Sequence, residues 1–582
     1  MIKKNLLAAS AVSILAVTGC SSIEQPLATL DFTNFDVHEY SSAIKLNQVG
    51  YFANASKIVI VPSTNIVKFN VINANGSVVL SGISSAPAVW EYSGEAVVQI
   101  DLSALNAVGQ YSLEVEDSQQ RASFSIKASP YDAMHKAAFK AYYINRASIK
   151  LLPEFAGDYA RPMGHVDTQV LVHSSAATAS RPEGTVISSP KGWYDAGDYN
   201  KYIVNSGIST YTLLLAYEHF TAYYDNKSLN IPESNNGIPD ILDEIDWNLE
   251  WMSTMQDPND GGVYHKLTTK NFTPIIMPHE GTEPRFVVQK STAAALNFAA
   301  VMANASRLYQ ATRPTLANKY LLQAIDAYSW ALENPTQYYR QPSDIQTGEY
   351  GDNNVTDEFA WASAELYLTT QEPPFLENFD QYAQAAQVPS WAQVSALPYI
   401  SMAFNNQADI LFTEQQRQRY STRLVDLANN IMQTYNTSAY KVTMSEGDFV
   451  WGSNAVAMNR ALVLWQAHKI TQDEQYKVAA EELVNYVMGK NPTGFSFVTG
   501  FGEVSPIEPH HRQSVADEVL TPVPGFLVGG PHSGQQDSCN YVSDLPAQSF
   551  LDDWCSYSTN EVTINWNAPL IYSLAQLEYL YK

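Results

Sequence analysis

The sequence predicts a multi-domain chain of two structural classes: an immunoglobulin-like β-sandwich over residues 43–128, then an all-α domain over 131–582 built as an α/α barrel. Three observations carry this expectation. About seven short β-rich runs separated by turn residues fit into roughly 85 residues, the density of a sandwich. Beyond Ser129-Pro130 the apolar period changes to three and four and stays there. A chain of 582 residues also exceeds what a single core usually serves.

Residues 1–19 read as an export signal, with Lys3 and Lys4 ahead of an apolar run from Leu6 to Val17. That run is shorter than the roughly 20 residues a spanning helix needs. The ending Val17-Thr18-Gly19-Cys20 resembles the lipobox of bacterial lipoproteins. The resemblance implies cleavage before Cys20, a lipid on its sulfur and, with Ser21 next, an outer-membrane destination at the periplasmic or cell-surface face. An ordinary signal peptide with an incidental cysteine is the alternative. Residues 20–42 lack periodicity and read as a tether.

The sandwich is read from Ile58 to Val61, Ile66 to Ile72, Val97 to Leu102, Tyr111 to Val115 and Ala122 to Ile126, with turns such as Asn75-Gly76 between runs. Helices are expected near 131–152, 204–223, 239–257, 291–312, 315–334, 357–371, 414–435, 451–468, 472–489 and 566–581, with no strands between them. A solenoid fits less well, because no fixed repeat period is present. The stretches 153–200, 258–290, 335–356, 372–392 and 490–565 are too long to be connectors and should build the functional face.

Composition excludes several classes. The formal charge of −25 opposes nucleic acid and anionic membrane surfaces as partners. The 45% hydrophobic content excludes a disordered chain. The 35 Tyr and 11 Trp supply flat faces of the kind that stack on pyranose rings, although most should be core. With Cys20 set aside, Cys539 and Cys555 form an even pair for which a disulfide is expected in an oxidising compartment; two buried thiols are the alternative.

Chemistry concentrates in three segments. Trp193-Tyr194-Asp195-Ala196-Gly197-Asp198-Tyr199 places two carboxylates around a glycine, where one can orient a water and the other take its proton. A helix-capping turn or a calcium loop would also explain it. Glu561 lies among Trp554, Tyr557 and Trp566, surroundings that disfavour its charged form and suit a proton donor; a capping glutamate is the alternative. Pro509-His510-His511-Arg512 offers an imidazole and a guanidinium as hydrogen-bond donors to sugar hydroxyls. A zinc site there lacks companion ligands. Together the segments suggest a glycoside hydrolase.

The run from Phe550 to Ala568 resembles the C-terminal active-site signature of glycoside hydrolase family 9, the inverting cellulases. Trp193 to Tyr202 is similar to that family's Asp-Ala-Gly-Asp segment, and Pro509 to Arg512 to its other signature. Ile44-Lys45-Leu46-Asn47-Gln48-Val49-Gly50-Tyr51 resembles the N-terminal immunoglobulin-like module of one branch. The resemblance implies an (α/α)6 barrel, Asp198 as general base, Asp195 as its partner on the nucleophilic water, Glu561 as general acid, and His510 and Arg512 as substrate contacts. Val504 departs from the polar residue usual six before His510, so a contact at the cleft rim is expected to be missing.

Trp451, Trp566 and Tyr557 complete the expected substrate-binding set, the two tryptophans being equally readable as core. No cofactor is required. A structural calcium ion is allowed for, with Asp243 or Glu244 contributing, against a solvated helix start as the preferred reading. The expected activity is endo cleavage of β-1,4-glucan by a monomer that touches membrane only through its lipid. An exo-acting β-glucosidase or exo-β-glucosaminidase is the alternative within the class, and a non-catalytic glycan-binding surface lipoprotein the alternative outside it.

Overall fold

The computed structural model describes residues 44–116, 118 and 120–582. The expected signal, lipidated Cys20 and tether lie outside the described residues. Seven strands come first: β1 (Ile58–Pro62), β2 (Lys68–Asn73), β3 (Val78–Ile83), β4 (Ala88–Trp90), β5 (Glu95–Asp101), β6 (Gly109–Val115) and β7 (Arg121–Ile126). They form two antiparallel sheets, ordered β1-β5-β4 and β3-β2-β6-β7. Alternate residues such as Phe69 and Val71 of β2, Leu113 and Val115 of β6, and Val98 and Ile100 of β5 meet in one core between the sheets. Strands β3 and β4 are missing from the sequence-read runs because neither shows that alternation; five of the six residues of β3 are exposed.

Among the described residues, twelve helices of eight residues or more follow. They are α1 (Asp132–Ile144), α2 (Ile203–His219), α3 (Asp240–Thr254), α4 (Thr292–Tyr309), α5 (Pro314–Glu333), α6 (Thr356–Thr370), α7 (Pro373–Tyr382), α8 (Leu397–Phe404), α9 (Glu414–Thr437), α10 (Ser453–Thr471), α11 (Glu474–Val487) and α12 (Ile564–Tyr581). The even-numbered helices are buried on nearly all sides, as Thr292 to Ser306 of α4 illustrates. Of the odd-numbered ones, α5 and α9 bury one stripe, in α9 Tyr420, Leu424, Ala428, Ile431, Met432 and Tyr435, whereas α3 has no exposed residue and α11 is buried from Ala479 onward. A helix buried on nearly all sides lies inside, which places the even-numbered helices in the inner ring of the barrel. Helix α12 packs on both α2 and α10, joining the end of the inner ring to its beginning.

Two expectations are corrected. The barrel domain contains a five-stranded sheet, β10-β11-β12-β8-β9, made by β8 (Val170–Val172), β9 (Val186–Ile187), β10 (Lys201–Tyr202), β11 (Lys266–Thr268) and β12 (Phe286–Val287). Strands of two or three residues are too short to register as a period. The stretch 372–392 also contains α7, whose one buried residue, Phe379, leaves almost no apolar stripe to read.

The sandwich seats on outer helix α11. Ser56 donates from its backbone N to Glu481 (2.8 Å) and from its hydroxyl to Glu482 (2.6 Å), and the Asn47 amide donates to Asn485 (2.9 Å).

Candidate active site

A cleft of about 800 Å³ opens where the inner helices begin. Asp195, Asp198 and Tyr202 enter it just ahead of α2, Gly348 to Tyr350 ahead of α6, Trp391 ahead of α8, Trp451 ahead of α10, and Glu561 to Asn565 at the start of α12. All eight residues singled out from the sequence as catalytic or substrate-binding line this one cleft: Asp195, Asp198, Glu561, His510, Arg512, Trp451, Trp566 and Tyr557. Helix N-termini carry partial positive charge, so this end of the barrel favours carboxylates and other anionic groups.

Backbone bonds hold the three segments in register. Ile564 N donates to Asp195 O (2.9 Å), Arg512 donates to Gly197 O from its backbone N (3.0 Å) and from Nη1 (2.9 Å), and His510 N donates to Asn560 O (2.9 Å). The approach is so close that a Cβ on Gly197 would fall 2.0 Å from the His510 carbonyl oxygen. Only glycine fits there, which explains the glycine between the two aspartates.

Asp195 and Asp198 are both buried. The Asn205 amide donates to both oxygens of Asp195 (2.9 and 3.1 Å), and the Tyr350 hydroxyl donates to Oδ2 (3.0 Å). Asn200 Nδ2 donates to Asp198 Oδ2. Asp198 Oδ1 is buried without a protein donor among the described residues, an acceptor available to a water in the cleft. Burial, then the charge of Asp198, pushes the Asp195 carboxyl up to about 8 against the pull of Asn205 and Tyr350. Glu561 is also pushed up to about 8, by burial first and then by Asp198, against Arg512 and the Gly197 N–H. A carboxyl still protonated near neutrality shares the cleft with an aspartate that has a free acceptor, which supplies one group able to donate a proton and one able to accept.

The expected substrate contacts divide in role. His510 stacks on Trp554 (ring centroids 4.0 Å apart), and its Nδ1 meets the Trp554 carbonyl at 2.7 Å. Burial pushes this imidazole down to about 4, so it is neutral. The carbonyl can only accept, which puts the proton on Nδ1 and makes Nε2 an acceptor rather than the donor expected from the sequence. Arg512 spends Nε on Thr273 O (2.6 Å) and Nη1 on Gly197 O, so much of its fork is taken up in tying the Asp195–Asp198 loop to the segment around Thr273. Trp451 is 41% exposed and packs against Tyr557, whereas Trp566 is 7% exposed; Trp451 is therefore the freer platform. His511 turns away, meeting Ser514 and Asn145.

Val504 does not line the cleft; its backbone is tied to Gln48 and Ser496, so the departure noted at this position removes no contact from the cleft lining. Cys539 and Cys555 are joined by a disulfide with Cα atoms 6.1 Å apart. Asp243 is paired with Arg313, and Glu244 with Arg146 (3.0 Å). Both carboxyls are already charge-compensated and do not fit a calcium site. Among the described residues no group of three His, Cys, Asp or Glu side chains is placed to hold a metal ion.

Sequence reasoning missed Tyr350, Asn205, Asn200, Phe272 and Trp391. The signal for Tyr350 was present but weak: it sits between Gly348 and Gly351 in a stretch assigned to the functional face, and its φ of 47° is a left-handed value that residues other than glycine seldom adopt.

The model of glycosyl hydrolase family 9 matches residues 131–574, and that of the cellulase N-terminal ig-like domain matches 39–120. A xyloglucan-specific endo-beta-1,4-glucanase of Bacteroides ovatus is 41% identical over 560 residues, covering 93% of this chain and 94% of that protein. Endoglucanase D of Acetivibrio thermocellus is 32% identical over 582 residues, covering 97% and 85%. Among solved structures, a Bacteroides ovatus GH9 protein superposes with a TM-score of 0.88 at 39% identity, covering 93% of this chain and 100% of that one. AaCel9A in complex with cellobiose-like isofagomine gives 0.85 at 30% identity, covering 92% and 100%. Matched over its sandwich, its barrel and the segments that meet in the cleft, the chain belongs to glycosyl hydrolase family 9.

Proposed function

We propose that this chain is an inverting, endo-acting β-1,4-glucan hydrolase. The observation that carries the reading is the meeting of three distant segments, around 195–198, 510–512 and 557–566, in one cleft lined by carboxyls and aromatic rings. Glu561 gives its proton to the glycosidic oxygen. Asp198 takes a proton from the water that attacks the anomeric carbon from the opposite side, with Asp195 orienting that water, so the configuration inverts. Trp451 and Tyr557 supply an aromatic surface for sugar rings, and His510 Nε2 accepts from a hydroxyl.

Endo action is supported by the endoglucanase relatives; of the two loops able to wall off one end, 153–190 contributes no residue to the cleft lining and 372–392 contributes Trp391. The Bacteroides ovatus relative is named for xyloglucan, which brings branched β-1,4-glucans into the reading beside linear ones. Export and lipid attachment at Cys20, to the outer membrane, belong to the same proposal and rest on the N-terminal residues. Retention of radiolabelled fatty acid by the full chain, lost in Cys20→Ala, is the expected result.

The deciding experiment is product analysis on cello-oligosaccharides, xyloglucan oligosaccharides and chitosan oligosaccharides, with proton NMR of the first anomer released. Mid-length products released as α-anomers are expected. Accumulation of monomer from chain ends would replace endo with exo action, and unchanged substrates throughout would leave only a glycan binder.

A further inference from the structure

Behind the Asp195–Asp198 loop lies a buried lysine that the chemistry above does not use. Lys266, on β11, is fully buried. It has three protons and no lone pair, so it can only donate. Its acceptors are Gly348 O (2.6 Å), Thr347 Oγ1 (3.0 Å) and Gln341 Oε1 (3.1 Å). Thr347 Oγ1 lies 2.7 Å from Thr268 Oγ1, and Thr268 reaches Asn200 Oδ1 at 3.0 Å, sharing its proton with Thr269 O at 2.8 Å. The Thr269 backbone N also donates to Asn200 Oδ1 (3.1 Å), which fixes that amide so that Nδ2 faces Asp198. Thr268, Thr347 and Asn200 are all buried. With Thr347 donating to Thr268 and Thr268 to Asn200, the chain runs in one polarity from ammonium to carboxylate.

We propose that Lys266 is a positioning residue for the base: through Thr347, Thr268 and Asn200 it anchors a chain of hydrogen bonds that ends on Asp198, holding that carboxyl aimed into the cleft. The proposal rests on the role given to Asp198 above. The need is plain, since Asp198 faces two further carboxyls, Asp195 and Glu561, together with the hydroxyls of Tyr199 and Tyr202, while Arg512 acts on the Glu561 side. Lys266 itself faces Asp198 and Glu349, the rings of Tyr202 and Tyr339, and the neutral His265. Burial pushes its ammonium down to about 7. It is thus charged below about 7 and loses that charge as pH rises through about 7. In a low-dielectric interior, aligned hydrogen bonds polarise one another, so a distant cation can be felt through the chain.

The test is the pH profile of kcat and kcat/KM on a cello-oligosaccharide for full-length Thr268→Val, Lys266→Met, Lys266→Arg and the Lys266→Met/Thr268→Val double variant. Expected are a kcat about tenfold lower in Thr268→Val with KM within about twofold, and an acidic limb moved up by roughly half a pH unit or more. Lys266→Met should shift the limb the same way, Lys266→Arg should keep it in place, and the double variant should be no worse than the poorer single one. An unmoved acidic limb in Thr268→Val, or losses that multiply in the double variant, would overturn the relay. Should Lys266→Met fail to fold, Thr268→Val and Asn200→Ala decide by the same limb. Asp198→Asn run alongside separates the two readings: if it stays active, the role of Asp198 fails; if it is dead while Thr268→Val behaves as wild type, only the relay falls.

Discussion

On one wall of the cleft Asp195 takes three hydrogen bonds from Asn205 and Tyr350, and Asp198 is held by Asn200. On the other wall Glu561 is steered by the charge of Arg512 and by the Gly197 N–H. Burial pushes both Asp195 and Glu561 up to about 8, so burial alone does not distinguish the walls. What differs is how firmly each carboxyl is directed. The carboxyls proposed to handle a water are held by amides and a phenol, whereas the one proposed to hand over a proton takes a backbone N–H and the charge of Arg512. A water tolerates little misplacement; a proton donor needs room to follow the leaving oxygen.

The largest effects should come from deleting either wall. Glu561→Gln and Asp198→Asn are each expected to lower kcat on the order of 10³–10⁴-fold with the circular-dichroism spectrum unchanged, and a variant keeping half its activity would end the assignment. The pH dependence sharpens the contrast. In its proposed role Glu561 acts protonated, so kcat/KM should fall as pH rises above about 8. The same group bears on stability. Its carboxyl titrates at about 8 in the folded chain against an ordinary 4.5, so between those values the folded state holds the extra proton and stability declines as pH rises. Glu561→Gln removes that decline, and its melting temperature should exceed the wild type by more at pH 8 than at pH 4.

Loosening the directed wall comes next: Tyr350→Phe deletes one donor to Asp195 and should cost about tenfold in kcat with little change in KM. Trp451→Ala acts outside the reacting groups. It should raise KM by about fivefold, the worth of roughly 1 kcal/mol of ring contact, and leave kcat nearly intact. Smallest in activity is the paired Cys539→Ser/Cys555→Ser change. Opening that loop should lower stability by about 3 kcal/mol, read by chemical unfolding, and disturb the kinetics only modestly.

The same contrast explains what could be read from the sequence. The reacting carboxyls sit in contiguous motifs whose glycine and aromatic neighbours announce them. Their supporting partners do not: Tyr350 lies 155 residues from the Asp195 it touches, and nothing around it in sequence points there. Asn200 stands inside the motif, but its function depends on Thr268 and Thr269, which only the β10-β11 pairing brings alongside. Helices with one-sided apolar stripes declared themselves, as did strands with alternation. The exposed β3, the two-residue strands and the nearly stripeless α7 did not, because tertiary pairing rather than local pattern creates them.

Ring closure by α12 has a consequence for how the chain matures. That helix follows the other eleven in the sequence, and the segment leading into it supplies Glu561. A ribosome that has delivered α1 to α11 has made the Asp195–Asp198 loop and most of the groove-lining segments, yet not Glu561, the proposed proton donor. Hydrolytic competence therefore arrives in a single late event, when the last inner helix docks between the first and the fifth, and a shortened translation product would be inert rather than partly active.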